Sequence, residues 1–284
     1  MNSNPHHLHP NLDSNLRHDI TPTRAGWKDL SFKIIALRQG ETYTHAANGD
    51  EVAIVPLQGS ARVNVGQQAF DLARRDVFTE PADVLYAPPR HPITITATSA
   101  FECALGGAPA EGKYPARLFA PNEMKQELRG GGAAQRQVNH ILAYPLPAER
   151  LILFEVYIPA GAWSGWPPHC HDGNMNSPYL EETYYYRFDS PAGFGVHRNY
   201  RRDSDLDEMF AVRDGDVVLV TQGFHPSGAS PAANMYFLNY LAGDLRDEAR
   251  GTPPVDDPDH AWIKTDWTAR VWTLPMFETR EGDR

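Results

Sequence analysis

The sequence predicts an all-β fold made of two similar halves, each a barrel or sandwich, with few short helices. Three observations carry this. Short runs rich in β-branched and aromatic residues recur along the chain, broken by Gly, Pro, Asn or Asp. Proline and glycine number 24 and 22 in 284 residues, enough to turn the chain between many short strands. Helical periodicity is weak, and a coarse order of residues repeats between the first and second half.

Taken in order, the chain opens on "MNSNPHHLHPNLDSNLRHD", which has no apolar core and does not read as a secretory signal. Residues 1–18 are expected to be a mobile, solvated tail, whose His6, His7 and His9 bind a metal loosely at most. First-half strands follow at "LSFKIIAL", "DEVAIVPL", "ARVNV", "VLYAP" and "ITITAT". "APNEMKQELR", 120–129, predicts a short helix with Asn122 near its start. The Gly-rich stretch "RGGGAAQRQVNHILAYPLPAE", 129–149, reads as the boundary zone, giving units of 19–145 and 146–284. Second-half strands are "LILFEVYIP", "ETYYYRF", "FGVHRNY", "MFAV", "DVVLVT" and "NMYFLNYLA".

Composition narrows the class. Hydrophobic residues make up 41% and charged residues 22%, as in a globular, soluble chain. A net charge of -10 without a basic run argues against a nucleic-acid partner, and no apolar stretch approaches a membrane span. Two cysteines, Cys103 and Cys170, form no disulfide framework and suit a reducing cytoplasm. The oligomeric state is open, and a homo-oligomer is compatible with the sequence.

The chemistry concentrates in "GAWSGWPPHCHDGNMNSPYLEETYYYRF". Residues two apart on a strand share a face, so His169 and His171 look the same way and Cys170 looks the other. Glu182, Tyr184 and Tyr186 likewise share a face of "ETYYYRF". Two imidazoles beside a carboxylate suit one divalent ion (Zn, Mn, Fe or Ni), with His225 in "TQGFHP" as fourth ligand. Each part has a plain structural reading alone: a hydrogen-bonded His pair, tyrosines in strand packing, a structural His225. The ordered set is the stronger signal.

That order resembles the cupin signature, in which a first motif supplies H-x-H and Glu and a second supplies the last His. Two departures stand out. The gap from His171 to Glu182 is long, like a loop inserted at the barrel mouth, and leaves a choice of Glu181 or Glu182. The second motif has Thr221 in place of proline and a single residue between Gly223 and His225. Glu182 is taken as the ligand because similar families carry E-x-Y-aromatic with its first Glu on the metal.

"PPHCHD", "LEETYYYRF", "PAGFGVHRNY", "DGDVVLVTQGFHP" and "YFLNYLAGDLR" together resemble the 5-deoxy-glucuronate isomerase family of inositol catabolism. "ITPTRAGWKDLSFKIIALRQGE" and "RGGGAAQRQV" extend the likeness, which runs from Ile20 to Trp262. The resemblance implies a bicupin with a degenerate first half, in which His45, Glu51 and His91 fall near the ligand positions without a paired H-x-H. It implies the aldose–ketose isomerisation of 5-deoxy-D-glucuronate to 5-dehydro-2-deoxy-D-gluconate. Where the family usually has lysine between the histidines, this chain has Cys170.

For such a reaction the candidate proton carriers are Glu181, Tyr184 and Tyr186. The carboxylate of a sugar acid needs a cation; Arg198 is the first choice and Arg136 the second. Inward alternation is expected to put Val196, Arg198 and Tyr200 on one face. Two other classes share the ligands: an iron cupin dioxygenase and a non-catalytic sugar-acid-binding cupin.

Overall fold

Among the described residues the regular structure is β-strand apart from one four-residue helix at Pro22–Ala25 and a few 3-10 turns, and it includes the strands expected from the sequence together with others such as Thr42–His45 and Gln68–Arg74. The computed structural model describes residues 4–46 and 48–268; the ends of the expected tail (1–3) and of the second unit (269–284) lie outside them.

The first half is a nine-stranded sheet organised by one long strand, Asp50–Val65. Its beginning pairs with Val84–Ala87 and Phe101–Pro109; its end pairs with Gln68–Arg74 and Ile93–Ala97. Curling of this strand closes an apolar interior that includes Ile35, Val52, Ile54, Val63, Ile95 and Leu105. His45 sits on the outer Thr42–His45 strand, and His91 is held by the Pro89 carbonyl.

The second half pairs two sheets. The larger runs His7–Leu8, Val217–Val220, Leu180–Phe188, Met235–Gly243, Ile152–Ile158, Arg136–His140 and Lys125–Arg129. The smaller holds Trp163–Ser164, Ser227–Ala229, Gly195–Tyr200 and Asp207–Val212. Their inner faces enclose Val156, Tyr184, Tyr186, Phe210, Val218 and Phe237.

Three sequence expectations are corrected here. Residues 120–129 do not form a helix: Pro121–Glu123 make one 3-10 turn, and Lys125–Arg129 pairs antiparallel with Arg136–His140. Local helix propensity yields to an open sheet edge, and the charged, mostly exposed side chains protect that edge in turn. The boundary at 145 also moves, because Lys125–His140 is a hairpin of the second half; Gly130 and its neighbours form its turn rather than an interdomain linker.

The third correction is the N-terminal tail. His7–Leu8 adds an edge strand opposite Val217–Val218, and the Leu219 N–H donates to the His6 carbonyl. Asn4 and His6 hold Glu208, while His7 and His9 hold Asp216. The sheet edge and two acceptors fix a segment that composition alone reads as solvated.

The halves pack outer face to outer face through one large cluster containing Phe32, Val55 and Tyr86 from the first and Leu153, Tyr185 and Tyr240 from the second. Tyr240 lies so close to Gly106 that a Cβ there would stand 2.4 Å from its ring. The two halves also exchange carboxylates. Glu51 accepts the N–H groups of Glu149, Arg150 and Leu151, and Glu181 accepts those of Lys28, Asp29 and Leu30. Each carboxylate thus caps the entrance to the other half's inner strand. No helix among the described residues is long and apolar enough to cross a membrane.

Candidate metal centre

Alternation along Leu180–Phe188 decides what faces the second-half interior. Glu182, Tyr184 and Tyr186 point inward, whereas Glu181 and Tyr185 reach toward the first half, Tyr185 donating to Glu102. Glu181 is therefore remote from the site, and its proposed proton-carrying role is withdrawn: its oxygens are taken up by three backbone N–H groups and Tyr179. The register also shows why Glu51 is not a relic ligand. Glu51 pairs with Ala108 as Glu181 pairs with Ala242, so the first-half counterpart of Glu182 is Val52.

His171, Glu182 and His225 form a compact buried group whose ligand atoms lie within 4.8 Å of one another. His171 Nε2 is 2.9 Å, and His225 Nε2 3.2 Å, from the same oxygen, Glu182 Oε2. His169 flanks the group, its ring 4.7 Å from His225 and 6.3 Å from His171.

The tautomers follow from the backbone. Nδ1–H of His171 donates to the Leu180 carbonyl at 3.0 Å, and Nδ1–H of His225 donates to the Gly223 carbonyl at 3.0 Å. In the neutral rings both Nε2 lone pairs then face a carboxylate, an arrangement that repels unless a cation or a proton lies between. Among the described residues the buried His225 Nε2 meets only that Glu182 oxygen and makes no well-aligned hydrogen bond. Donor chemistry and orphaned nitrogen both fit a divalent ion.

The electrostatics agree. Burial alone would raise the Glu182 carboxyl, but His171 and His225 outweigh it and hold it at about 2. Burial is the largest single influence on His171 and lowers it, but Glu182 and the Leu180 carbonyl together outweigh it, so its net shift is upward. His169 is driven well down by burial and by its two histidine neighbours, which keeps it neutral.

Tyr184 and Tyr186 are pushed well above the usual phenol range, chiefly by burial. Neither can be a base near neutrality; each keeps its proton and has an O–H to donate. Tyr186 is already engaged, donating to His197 Nδ1 at 2.6 Å, while His197 Nε2–H donates to Asn199 Oδ1 at 2.8 Å. It belongs to the polar floor of the barrel. Tyr184 remains beside the cluster, its ring 5.9 Å from His225.

The arginine order reverses. Arg198 forms a bidentate pair with Asp207 at 2.7 and 2.8 Å on the surface and lies over the Tyr200 ring. The inward residues of its strand are His197 and Asn199, both buried, so the expected alternation is shifted by one. Arg136 is the buried guanidinium. Its Nη1 donates to the Ala134 and Trp166 carbonyls, and among the described residues its Nε has no partner and no carboxylate pairs with it. Burial lowers it to about 10, aided by Arg129, and its charge is felt at His169 and Tyr184. Gly130 makes room for it: with φ of +77°, a Cβ there would meet Arg136 Nη1 at 2.6 Å. The His197–Asn199 network escaped sequence reasoning; the alternation of "GVHRNY" defines two faces but not which one is inside.

Comparison with known proteins then places the chain. A model of the KduI/IolB family matches residues 6–263. The chain belongs to that family. The 5-deoxy-glucuronate isomerase of Geobacillus thermodenitrificans is 38% identical over 89% of this chain and 93% of its own length. That of Bacillus subtilis (strain 168) is 34% identical over 87% and 92%. Among solved structures, an IolB-like protein from Salmonella typhimurium superposes with a TM-score of 0.86 at 36% identity, covering 91% of this chain and 98% of the other. Bacillus subtilis oxalate decarboxylase, which has Mn(II) centres, superposes at 0.61 with 14% identity, covering 90% and 80%. That distant likeness speaks to the fold, which is the bicupin fold.

Proposed function

We propose that this chain is a cytoplasmic aldose–ketose isomerase of myo-inositol catabolism that converts 5-deoxy-D-glucuronate to 5-dehydro-2-deoxy-D-gluconate. The observation that carries the proposal is the buried His171–Glu182–His225 group in a chain that matches 5-deoxy-glucuronate isomerases over nearly nine-tenths of its length. His169, beside His225, completes a four-donor set for one divalent ion, and three imidazoles with one carboxylate suit Zn, Mn, Fe or Ni. Such an ion, when bound, supplies Lewis-acid polarisation of the substrate's carbonyl and hydroxyl oxygens.

The chain's own groups do the rest. Arg136, buried and without an acidic partner among the described residues, holds the substrate carboxylate and so fixes which end of the sugar acid faces the ligands. Tyr184, kept protonated by burial, donates a hydrogen bond to a substrate oxygen where negative charge develops. Leu180 and Gly223 lock the ligand tautomers, so the site is preorganised before substrate arrives.

The test is turnover of 5-deoxy-D-glucuronate by purified protein, with metal content measured on the same sample and the product identified by NMR. Turnover that is lost with chelator and restored by a divalent ion is expected. Metal-replete protein that binds the sugar acid without turning it over would leave a binding cupin. Oxygen uptake by an iron form would point to a dioxygenase.

A further inference from the structure

A second set of metal-type donors lies outside the barrel, between the N-terminal segment and the turn before Val217–Val220. We infer that His7, His9 and Asp216 form a divalent transition-metal site that clamps the N-terminal arm onto the second-half sheet. His7 Nε2 lies 2.9 Å from Asp216 Oδ2 and His9 Nδ1 2.8 Å from Asp216 Oδ1. The three ligand atoms stand within 4.8 Å of one another, the spacing also found at His171, Glu182 and His225. Alternate residues of an extended segment share a face, so His7-x-His9 presents two imidazoles together, as His169-x-His171 does.

The surroundings are those of a built site. Asp216 is buried, and its carboxylate is oriented by the Arg213 N–H, which donates to Oδ2 at 2.9 Å. Its backbone is tied to the barrel wall: the Tyr186 N–H donates to the Asp216 carbonyl, and the Gly215 N–H donates to that of Tyr186. His7 packs on Phe210 at 5.3 Å, which fixes one ligand ring. His9 has 68% of its side chain exposed, which leaves a path for an ion and for water to fill the remaining coordination. Two imidazoles and one carboxylate select Zn, Co, Ni or Cu over Mg or Ca.

The function is structural. An ion here joins the arm to the Val217–Val220 strand, whose far end leads to His225. Binding to the docked arm alone suppresses its opening by mass action: an ion at about 100 times its Kd lowers the opened fraction about 100-fold.

The test uses metal-free, full-length protein titrated with Co(II), followed by its visible spectrum, and with Zn(II) by equilibrium dialysis. Wild-type protein is expected to bind two equivalents. His7→Ala/His9→Ala protein is expected to bind one, and His171→Ala/Glu182→Gln protein to retain one. Trypsin cleavage after Arg17 should slow with Zn(II) in wild type and in the barrel variant, and should not respond in the arm variant. Equal stoichiometry in wild type and the arm variant, or a barrel variant that binds no ion, would overturn the inference and leave a hydrogen-bonded clasp. A failure of the isomerase assay would not bear on it, since both readouts are independent of turnover.

Discussion

At the residue scale, two adjacent glutamates have opposite fates. Glu182→Gln removes the charge that His171 and His225 share, so the variant is expected to lose the bound ion and turnover. Glu181→Gln keeps one acceptor for three N–H groups and should retain the ion while losing about 1–3 kcal/mol of stability. Elemental analysis and denaturant melts of both variants separate these outcomes; retained metal in Glu182→Gln would refute the ligand assignment. The arginines divide in the same way. Arg136→Ala should leave metal content intact and lower kcat/KM by the equivalent of about 2–5 kcal/mol, because it strips a buried partner from a charged substrate group. Arg198→Ala disturbs an exposed pair worth about 0–1 kcal/mol and should be near wild type in steady-state kinetics.

At the element scale, the two sheets of the second half are joined, besides their apolar cluster, by the polar contact from Tyr186 through His197 to Asn199, whose amide donates to the Leu219 carbonyl. Burial lowers His197 to about 3 from 6.5, so the folded protein holds it neutral while the unfolded chain takes up a proton below pH 6.5. The unfolded state therefore binds more protons between pH 6.5 and 3. This contribution to stability is complete above 6.5 and falls on acidification by up to about 1.4 kcal/mol per pH unit. His197→Gln should be less stable than wild type at pH 7, with a gap that narrows as pH drops toward 4; denaturant melts of metal-free protein across that range measure it, and a constant gap would exclude this role. Strands made of β-branched runs bounded by turn residues were legible, because such runs report local structure directly; short or polar ones such as Thr42–His45 and Gln68–Arg74 were not. The grouping of His171, Glu182 and His225 was legible too, read from residue types and their order. The face of "GVHRNY" was not, since alternation has no absolute phase until a partner strand sets it. Nor was the strand Lys125–Arg129, whose composition suits a helix and whose pairing with Arg136–His140 is a tertiary fact.

At the scale of the whole molecule, the two halves are joined by charge as well as by packing. Arg74 of the first half and Glu155 of the second meet at 2.6 Å with both side chains fully buried. Burial works against the Arg74 charge, and the Glu155 carboxylate, with Tyr236 and Tyr157, outweighs it, so the net shift is upward. Tyr236 donates to Glu155, and Arg74 donates further to Tyr157 and to the Pro56 and Glu80 carbonyls, so few polar atoms of the pair lack a partner. Removing one member leaves the other charged in an apolar interface. Arg74→Met is expected to cost about 3–5 kcal/mol, whereas Arg74→Met/Glu155→Gln, which removes the stranded charge and keeps an acceptor for Tyr236, should recover part of that loss. The exchanged carboxylates at Glu51 and Glu181 make each half the cap of the other's inner strand, so the loss should appear as one cooperative transition at lower denaturant. Two separate transitions in the Arg74→Met melt, one for each half, would show that the halves are independent and that this interface does not hold the molecule together.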